Sequence, residues 1–373
     1  MKFQAFGMAA LAVAAISIPA TAQEPAARQA LDGIDPVVLI QQGKEAFGKP
    51  EFSVERAGFQ YQFSSAETKA AFEREPARYE IQLNGSCARM GGGVGGNPSD
   101  YAVVEGKIYI FGSDDCHKRF VAAPAKFLPR PVPPMPTAAS AIEQGRALVD
   151  RAVAGLGGSA TLDSVTSYAE AFSQIQKRPA GDVAVTTNTV WRFPDAVRSE
   201  RVMAMQGQQQ ASTTLLTPQG GWFIGGNGRV YPQNPGSRAT NRQEFSRQLI
   251  PLLRTRHDPS FKAAAVGRTI VDGTQVDQVR IQNGVVDVTL GIDAKTSRVH
   301  SLAFTGRNAE AEIGDYTLIF GDYRQVNGLT LPFVVRALFD GAPDSLRTVK
   351  FDNIKINAPV DPALFEAPKG DAK

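Results

Sequence analysis

Four side chains carry most of the reactive chemistry in this sequence: Cys87, Met90, Cys116 and His117. The chain has two cysteines and three histidines in 373 residues. Two thiols can close a structural disulfide. A loop of about 30 residues would then restrict the unfolded chain by about 3 kcal/mol, and in an oxidising compartment this is the favoured pairing. Alternatively, Cys87, Cys116 and His117 make a soft-metal set, with copper or zinc as the cofactor and Met90 adding a thioether. Their spacing matches no regular ligand signature. A cysteine nucleophile with a histidine base is a third use. Adjacent residues on a helix point about 100° apart, so Cys116 and His117 are poorly placed to act on each other. Two inert thiols are the remaining alternative.

Cys116 and His117 belong to GKIYIFGSDDCHKRFVAAPAKF (106–127). A degenerate copy, GFQYQFSSAETKAAFEREPARY, occupies 58–79. The shared positions are those that build structure. Tyr-x-Phe alternation predicts a half-buried strand. Ser65 and Ser113 are N-cap residues, Phe72 and Phe120 mark one helical face, and Pro76 and Pro124 stop the helix. The spacing therefore predicts a duplicated strand–turn–helix unit, in which Cys116-His117 stand where the first copy has Thr68-Lys69. Asp114 and Asp115 fall in the first turn of the second helix, where acids favour the dipole. Gly91 to Gly96 contains G-x-G-x-x-G, but Asn97-Pro98 follows instead of a helix. This excludes a dinucleotide fingerprint and leaves a flexible loop as the expectation.

Lys2, the apolar stretch Phe6 to Ile18 and Ala20-Thr21-Ala22 compose a secretory signal over 1–22, cleaved after Ala22. The apolar stretch is too short to span a bilayer. The next residue is Gln23, so no lipid anchor is expected, and the product is periplasmic or secreted. The formal net charge is +3, without blocks of like charge, which argues against a nucleic-acid partner. The length asks for at least two domains. The proline-rich stretch 128–140 reads as a semi-rigid linker between a module at 31–127 and a larger domain at 141–369.

In the larger domain the periodicity predicts a helix from Ala141 to Leu156. A second helix, Asn241 to Arg256, should kink or end near Pro251. Strands are expected near 165–175, 182–193, 196–205, 211–217, 221–225, 268–272, 275–282, 285–293, 298–305, 312–323, 329–340 and 346–357. Asp272-Gly273, Asn283-Gly284 and Asn327-Gly328 mark hairpins. The fold class is α+β, with a strongly curved antiparallel sheet wrapped over helical cover. No metalloprotease, nucleophile-elbow, Walker A or C-x-x-C motif occurs, so a binding protein and not an enzyme is expected. His257 reads as part of a solvated helix exit and His300 as a surface strand residue.

Two resemblances sharpen this. Gly33, Asp35, Pro36, Val37, Gly58, Tyr61, Phe63, Ser65, Phe72, Pro76, Tyr79, Gly85, Cys87 and Ala88 resemble the secreted branch of YHS-domain proteins. That resemblance implies a small α+β module associated with metal binding. The C-G-M start of metal-handling modules is replaced here by Asp32-Gly33-Ile34, and Gly112 stands where they carry a strand-end cysteine. GRALVDRAVAGLGG (145–158), Trp222, GDYRQVNGLTLPFVV (321–335) and VKFDNIKINAPVDPALFEAP (349–368) resemble LolA/LolB-like proteins. This second resemblance implies an unclosed β-barrel, or half-barrel, with a lid. Its concave apolar face would hold acyl chains. Trp191, Trp222, Phe223, Phe304, Phe320, Phe333 and Phe339 are the candidate lining. The expected function is an exported periplasmic protein binding an apolar small molecule, a lipid or a lipoprotein acyl chain, with a lipoprotein or envelope protein as partner. The alternative is a periplasmic metal or redox protein working through Cys87, Cys116 and His117.

Overall fold

A computed structural model describes residues 27–177 and 181–368; the signal segment 1–22 lies outside them. The duplicated unit forms in both copies. In the first, strand Phe59–Phe63 leads to helix Ala66–Arg74, and the Ser65 hydroxyl accepts from the Thr68 N–H at 3.3 Å. In the second, strand Lys107–Phe111 leads to helix Asp114–Ala122, and Ser113 accepts from Cys116 N–H at 3.3 Å. The helix phenylalanines pack alike: Phe72 lies 4.8 Å from Tyr61 and 5.1 Å from Phe63, while Phe120 lies 5.1 Å from Tyr109 and 5.3 Å from Phe111. Pro76 and Pro124 do more than end these helices. Each opens a further turn, where a missing N–H costs nothing.

The two copies lie in different small sheets. Phe59–Phe63 sits between Arg28–Gln29 and Lys49–Arg56; Lys107–Phe111 sits between Ser86–Cys87 and Asn97–Val104. A bridge from Ile81 to Ile108 links them, and Ile108 and Ile110 complete the core of the first copy. The Asp-Pro-Val motif is structural. Fully buried Asp35 caps helix Pro36–Gln42 through Val37 N–H (2.9 Å) and Val38 N–H (3.2 Å). Its other oxygen accepts from the N–H (2.7 Å) and hydroxyl (2.8 Å) of Ser64. The expected glycine loop is instead a strand, Gly91–Gly95, paired with Ser86–Cys87.

The larger domain is one antiparallel sheet. Its spatial order is Val230–Pro232, Gly220–Gly225, Gln208–Thr217, Ala196–Met205, Val183–Arg192, Ser167–Gln176, Val349–Ile356, Leu329–Phe339, Ile313–Val326, Val299–Arg307, Val286–Asp293, Thr274–Asn283 and Lys262–Val271. The terminal strands do not pair, so the sheet is open. It is also bent. Phe223 and Phe304 line one cleft, although eight strand spacings separate them, about 38 Å on a flat sheet. The halves meet at a thin seam, where Val334 and Val335 face Lys350 and Val349.

Helix Ala139–Leu156 covers one part of the concave face, burying Val149, Ala152, Val153 and Leu156. Gly145 permits the close approach, since a Cβ there would lie 2.5 Å from Ala264 Cα. The second predicted helix is two, Pro235–Ser246 and Leu249–Arg254. The break falls at Arg247–Gln248 and not at Pro251, because Pro251 occupies the first turn of the new helix, where prolines are tolerated. The proline-rich linker is strapped to the outer face. Arg280 donates to Pro133 O at 2.6 Å, and Arg130 pairs with Asp340 at 2.9 Å. Among the described residues no helix is long and apolar enough to cross a membrane.

Candidate functional site

The concave face is not filled by its helices. A cleft of about 580 Å³ remains between the seam and the end of helix Pro235–Ser246. Strand alternation sets its lining. Glu170, Phe172, Gln174 and Gln176 point in from one strand, Val185 and Thr187 from the next, then Ser199 and Arg201. Phe304, Leu318, Val335, Val349 and Phe351 supply the apolar wall opposite. The cleft is thus amphipathic, where hydrocarbon alone was expected.

Its charged groups are organised. Glu244 and Arg247 lie one helical turn apart and form an ion pair, and Arg347 reaches Glu244 at 3.2 Å. Burial works to raise the Glu244 carboxyl, but the two guanidiniums outweigh it and hold the group below its ordinary value. Arg247 stacks 3.8 Å from the Phe304 ring centre. Its Nε is buried with no hydrogen-bond partner among the described residues. Glu170 behaves oppositely. Burial pushes its carboxyl up to about 7, against the Tyr168 hydroxyl that donates to it at 2.7 Å. Arg347 also stacks on Tyr316, whose hydroxyl donates to Asp344 at 2.8 Å.

The first module forms part of this site's surround. Gly92 packs so tightly on helix Pro235–Ser246 that a Cβ would lie 2.3 Å from Thr240 Oγ1 and 2.6 Å from Gly236 O. Ser237 donates its hydroxyl to Gly92 O. Arg307, in the cleft lining, extends into the module and donates to the carbonyls of Arg89 (2.6 Å) and Phe127 (3.1 Å) and to its own loop at Ala311 (2.7 Å). Burial lowers this guanidinium to about 10, and the Cys87 sulfur opposes that.

Both cysteines are buried free thiols, so the expected disulfide is not formed in this structure. They lie within hydrogen-bond reach of each other. Cys87 stands on strand Ser86–Cys87 and Cys116 in the first turn of helix Asp114–Ala122. Arg89 lies 3.9 Å from the Cys116 sulfur and 3.4 Å from that of Met90. His117 does not join them. Its Nδ1 meets Asp100 Oδ1 at 2.5 Å and its ring stacks on Phe111 at 4.4 Å. Among the described residues no group of three or more His, Cys, Asp or Glu side chains is placed to hold a metal ion. Cys87, Cys116 and His117 therefore do not converge as the copper or zinc set considered from the sequence.

Of the seven aromatic candidates, Phe223 and Phe304 line the cleft. Trp191 lines a smaller cavity of about 230 Å³ and packs on Tyr168 and Phe245. Phe320 and Phe333 are buried core, Phe339 packs on Tyr316, and Trp222 lies against Ala196, Leu215 and Phe365. Sequence reasoning missed Glu170, Arg201 and Glu244. A signal for Glu170 was present, since it alternates in phase with Tyr168 and Phe172. His257 is exposed beside Asp163, and His300 is bonded to Val271 O at 3.1 Å.

No protein-family model and no curated protein matches the sequence. Three solved structures are similar over 60% of this chain and 97% of their own. One is a provisionally assigned outer membrane lipoprotein-sorting protein domain from Vibrio parahaemolyticus, with 10% identity and a TM-score of 0.39. A DUF1329 family protein from Desulfovibrio piger has 14% identity and a TM-score of 0.38. The third, a LolA superfamily protein from Nitrosomonas europaea, has 10% identity and a TM-score of 0.38.

Proposed function

We propose that this chain is an exported binding protein that holds an acyl-bearing lipid or lipoprotein acyl chain in the open side of its curved sheet, and does not transform it. The observation that carries this reading is the amphipathic cleft. Its volume falls in the range of small-molecule sites, roughly 300–1,000 Å³. Phe172, Phe304, Leu318, Val335 and Phe351 offer a wall for hydrocarbon. Arg247 and Arg347 stand at its polar end with Glu244 between them and Asp344 beside Arg347. The buried Arg247 Nε, which has no hydrogen-bond partner among the described residues, is a donor that suits an anionic head group. The packed module and the helix it holds form the rim.

The test is uptake by the purified full chain. Organic extraction and native mass spectrometry should find a co-purified lipid, and a dansylated undecanoic acid should gain fluorescence on binding. Leu318→Glu, which places a charge on the apolar wall, should abolish that gain. A chain that neither retains lipid nor takes up the probe would end this reading.

A further inference from the structure

We infer that Cys87 and Cys116 form a redox-active dithiol that exchanges with external disulfides. This inference stands apart from the lipid reading. The surroundings of the two sulfurs carry it. The thiols are mutually within hydrogen-bond reach and share one buried cluster of the module with Phe111, Phe120 and Phe127. Two guanidiniums converge on them. Arg89 places Nη1 at 3.9 Å from Cys116, and its Nε is buried with no hydrogen-bond partner among the described residues. Its one carboxylate, Asp115, is exposed and 3.8 Å away. Arg307 donates to three carbonyls and has no carboxylate partner among the described residues; it packs against Gly91, the strand partner of Cys87. Cys116 further sits at a helix start, with Ser113 beside it, an arrangement that favours a thiolate.

These contacts favour the reduced form. Guanidiniums stabilise thiolates and gain nothing from a neutral disulfide, so the bridge is easier to reduce than a structural one. The reaction follows from exposure. Cys116 is 6% exposed and Cys87 is not exposed at all, so Cys116 is the entry sulfur. Its thiolate attacks one sulfur of an external disulfide and expels a thiolate. The Cys87 thiolate then attacks Cys116 Sγ and expels the second. The protein loses two electrons, the external disulfide gains them, and the two protons pass to the released thiols.

The experiment equilibrates the full chain across glutathione redox mixtures, quenches with acid, alkylates and counts thiols by intact mass. One reversible two-electron transition is expected. Arg307→Gln and Arg89→Gln should each shift the equilibrium constant about tenfold toward the disulfide, while Arg89→Lys, which keeps the charge, should shift it less. Circular dichroism before titration shows which variants are folded. A bridge that native glutathione cannot reduce, thiols that never oxidise, or glutamine variants with the parent midpoint would each overturn the inference.

Discussion

Replacing Glu170 by Gln should remove a pH dependence from the stability of the larger domain. The carboxyl titrates near 4.5 in an unfolded chain and near 7 in the fold. An acid whose folded value is raised binds more protons folded than unfolded between those values, so stability falls as pH rises through that window. Below about 4.5 the group is protonated in both states and costs nothing. Above about 7 the full penalty applies. Two and a half units at 1.36 kcal/mol each give about 3 kcal/mol as an upper figure, and water in the cleft that Glu170 lines trims this to about 1–3 kcal/mol. Gln keeps the size and can still accept from Tyr168, but it cannot ionise. The assay is urea denaturation of both proteins at pH 5 and pH 8, followed by Trp fluorescence, since Trp191 packs on Tyr168. Other groups titrate in this range, so the observable is the difference between the proteins. The variant should gain markedly more stability relative to the parent at pH 8 than at pH 5. Parallel pH profiles would show that Glu170 is not held protonated, and the electrostatic account of the cleft would fail with it.

Glu244→Gln should act with the opposite sign. It leaves Arg247 and Arg347 without their shared anion, at a cost of about 1–3 kcal/mol, below that of a fully buried pair because the carboxylate borders the cleft. Since the folded carboxyl is held low, the parent should lose this contribution as pH falls below about 4.5, whereas the variant has none to lose; acid titration of both by circular dichroism checks it. Gly92→Val should undock the module, because its Cβ collides with the backbone of Gly236 as well as Thr240. Strain of this kind costs about 1–3 kcal/mol. Limited proteolysis should then cut near the strap between 128 and 138 faster than in the parent, and an unchanged cutting rate would remove the docking role from the glycine strand.

The strand boundaries were legible because turns announce themselves chemically. Asp272, Asn327 and the glycines at 273, 284 and 328 take the positive φ that hairpin turns require. The duplicated unit was legible for a similar reason, since cap, aromatic and proline recur at fixed offsets. The glycine strand was not. Gly91–Gly95 carries almost no side chain, so it shows no periodicity, and its extended form is set by the helix it lies against. Nor could the helix break be placed from Pro251, because a proline can begin a helix as readily as it ends one. The cleft's polarity was hidden by attention to aromatics. Aromatic residues serve core and lining alike, as Phe320 and Phe304 show, whereas a charge in phase with buried neighbours has few uses. The cysteines show a further limit. Their number permits a bridge, but only their surroundings reveal the two guanidiniums.

Domains joined by a linker are ordinarily free to reorient when little apolar surface lies between them. Here the contacts are polar but costly to break. Undocking the module would strip Arg307 of two carbonyls and the nearby Cys87 sulfur while leaving its base in the cleft wall. Exposed hydrogen bonds can be exchanged for water at little cost, but a buried guanidinium stripped of partners cannot remain where it is. The helix Pro235–Ser246 would lose the glycine strand from its flank at the same moment. Module, helix and Arg307 therefore move together or not at all. Arg307 walls the cleft at its base and ends on module carbonyls, which leaves the small module one side chain away from the cleft.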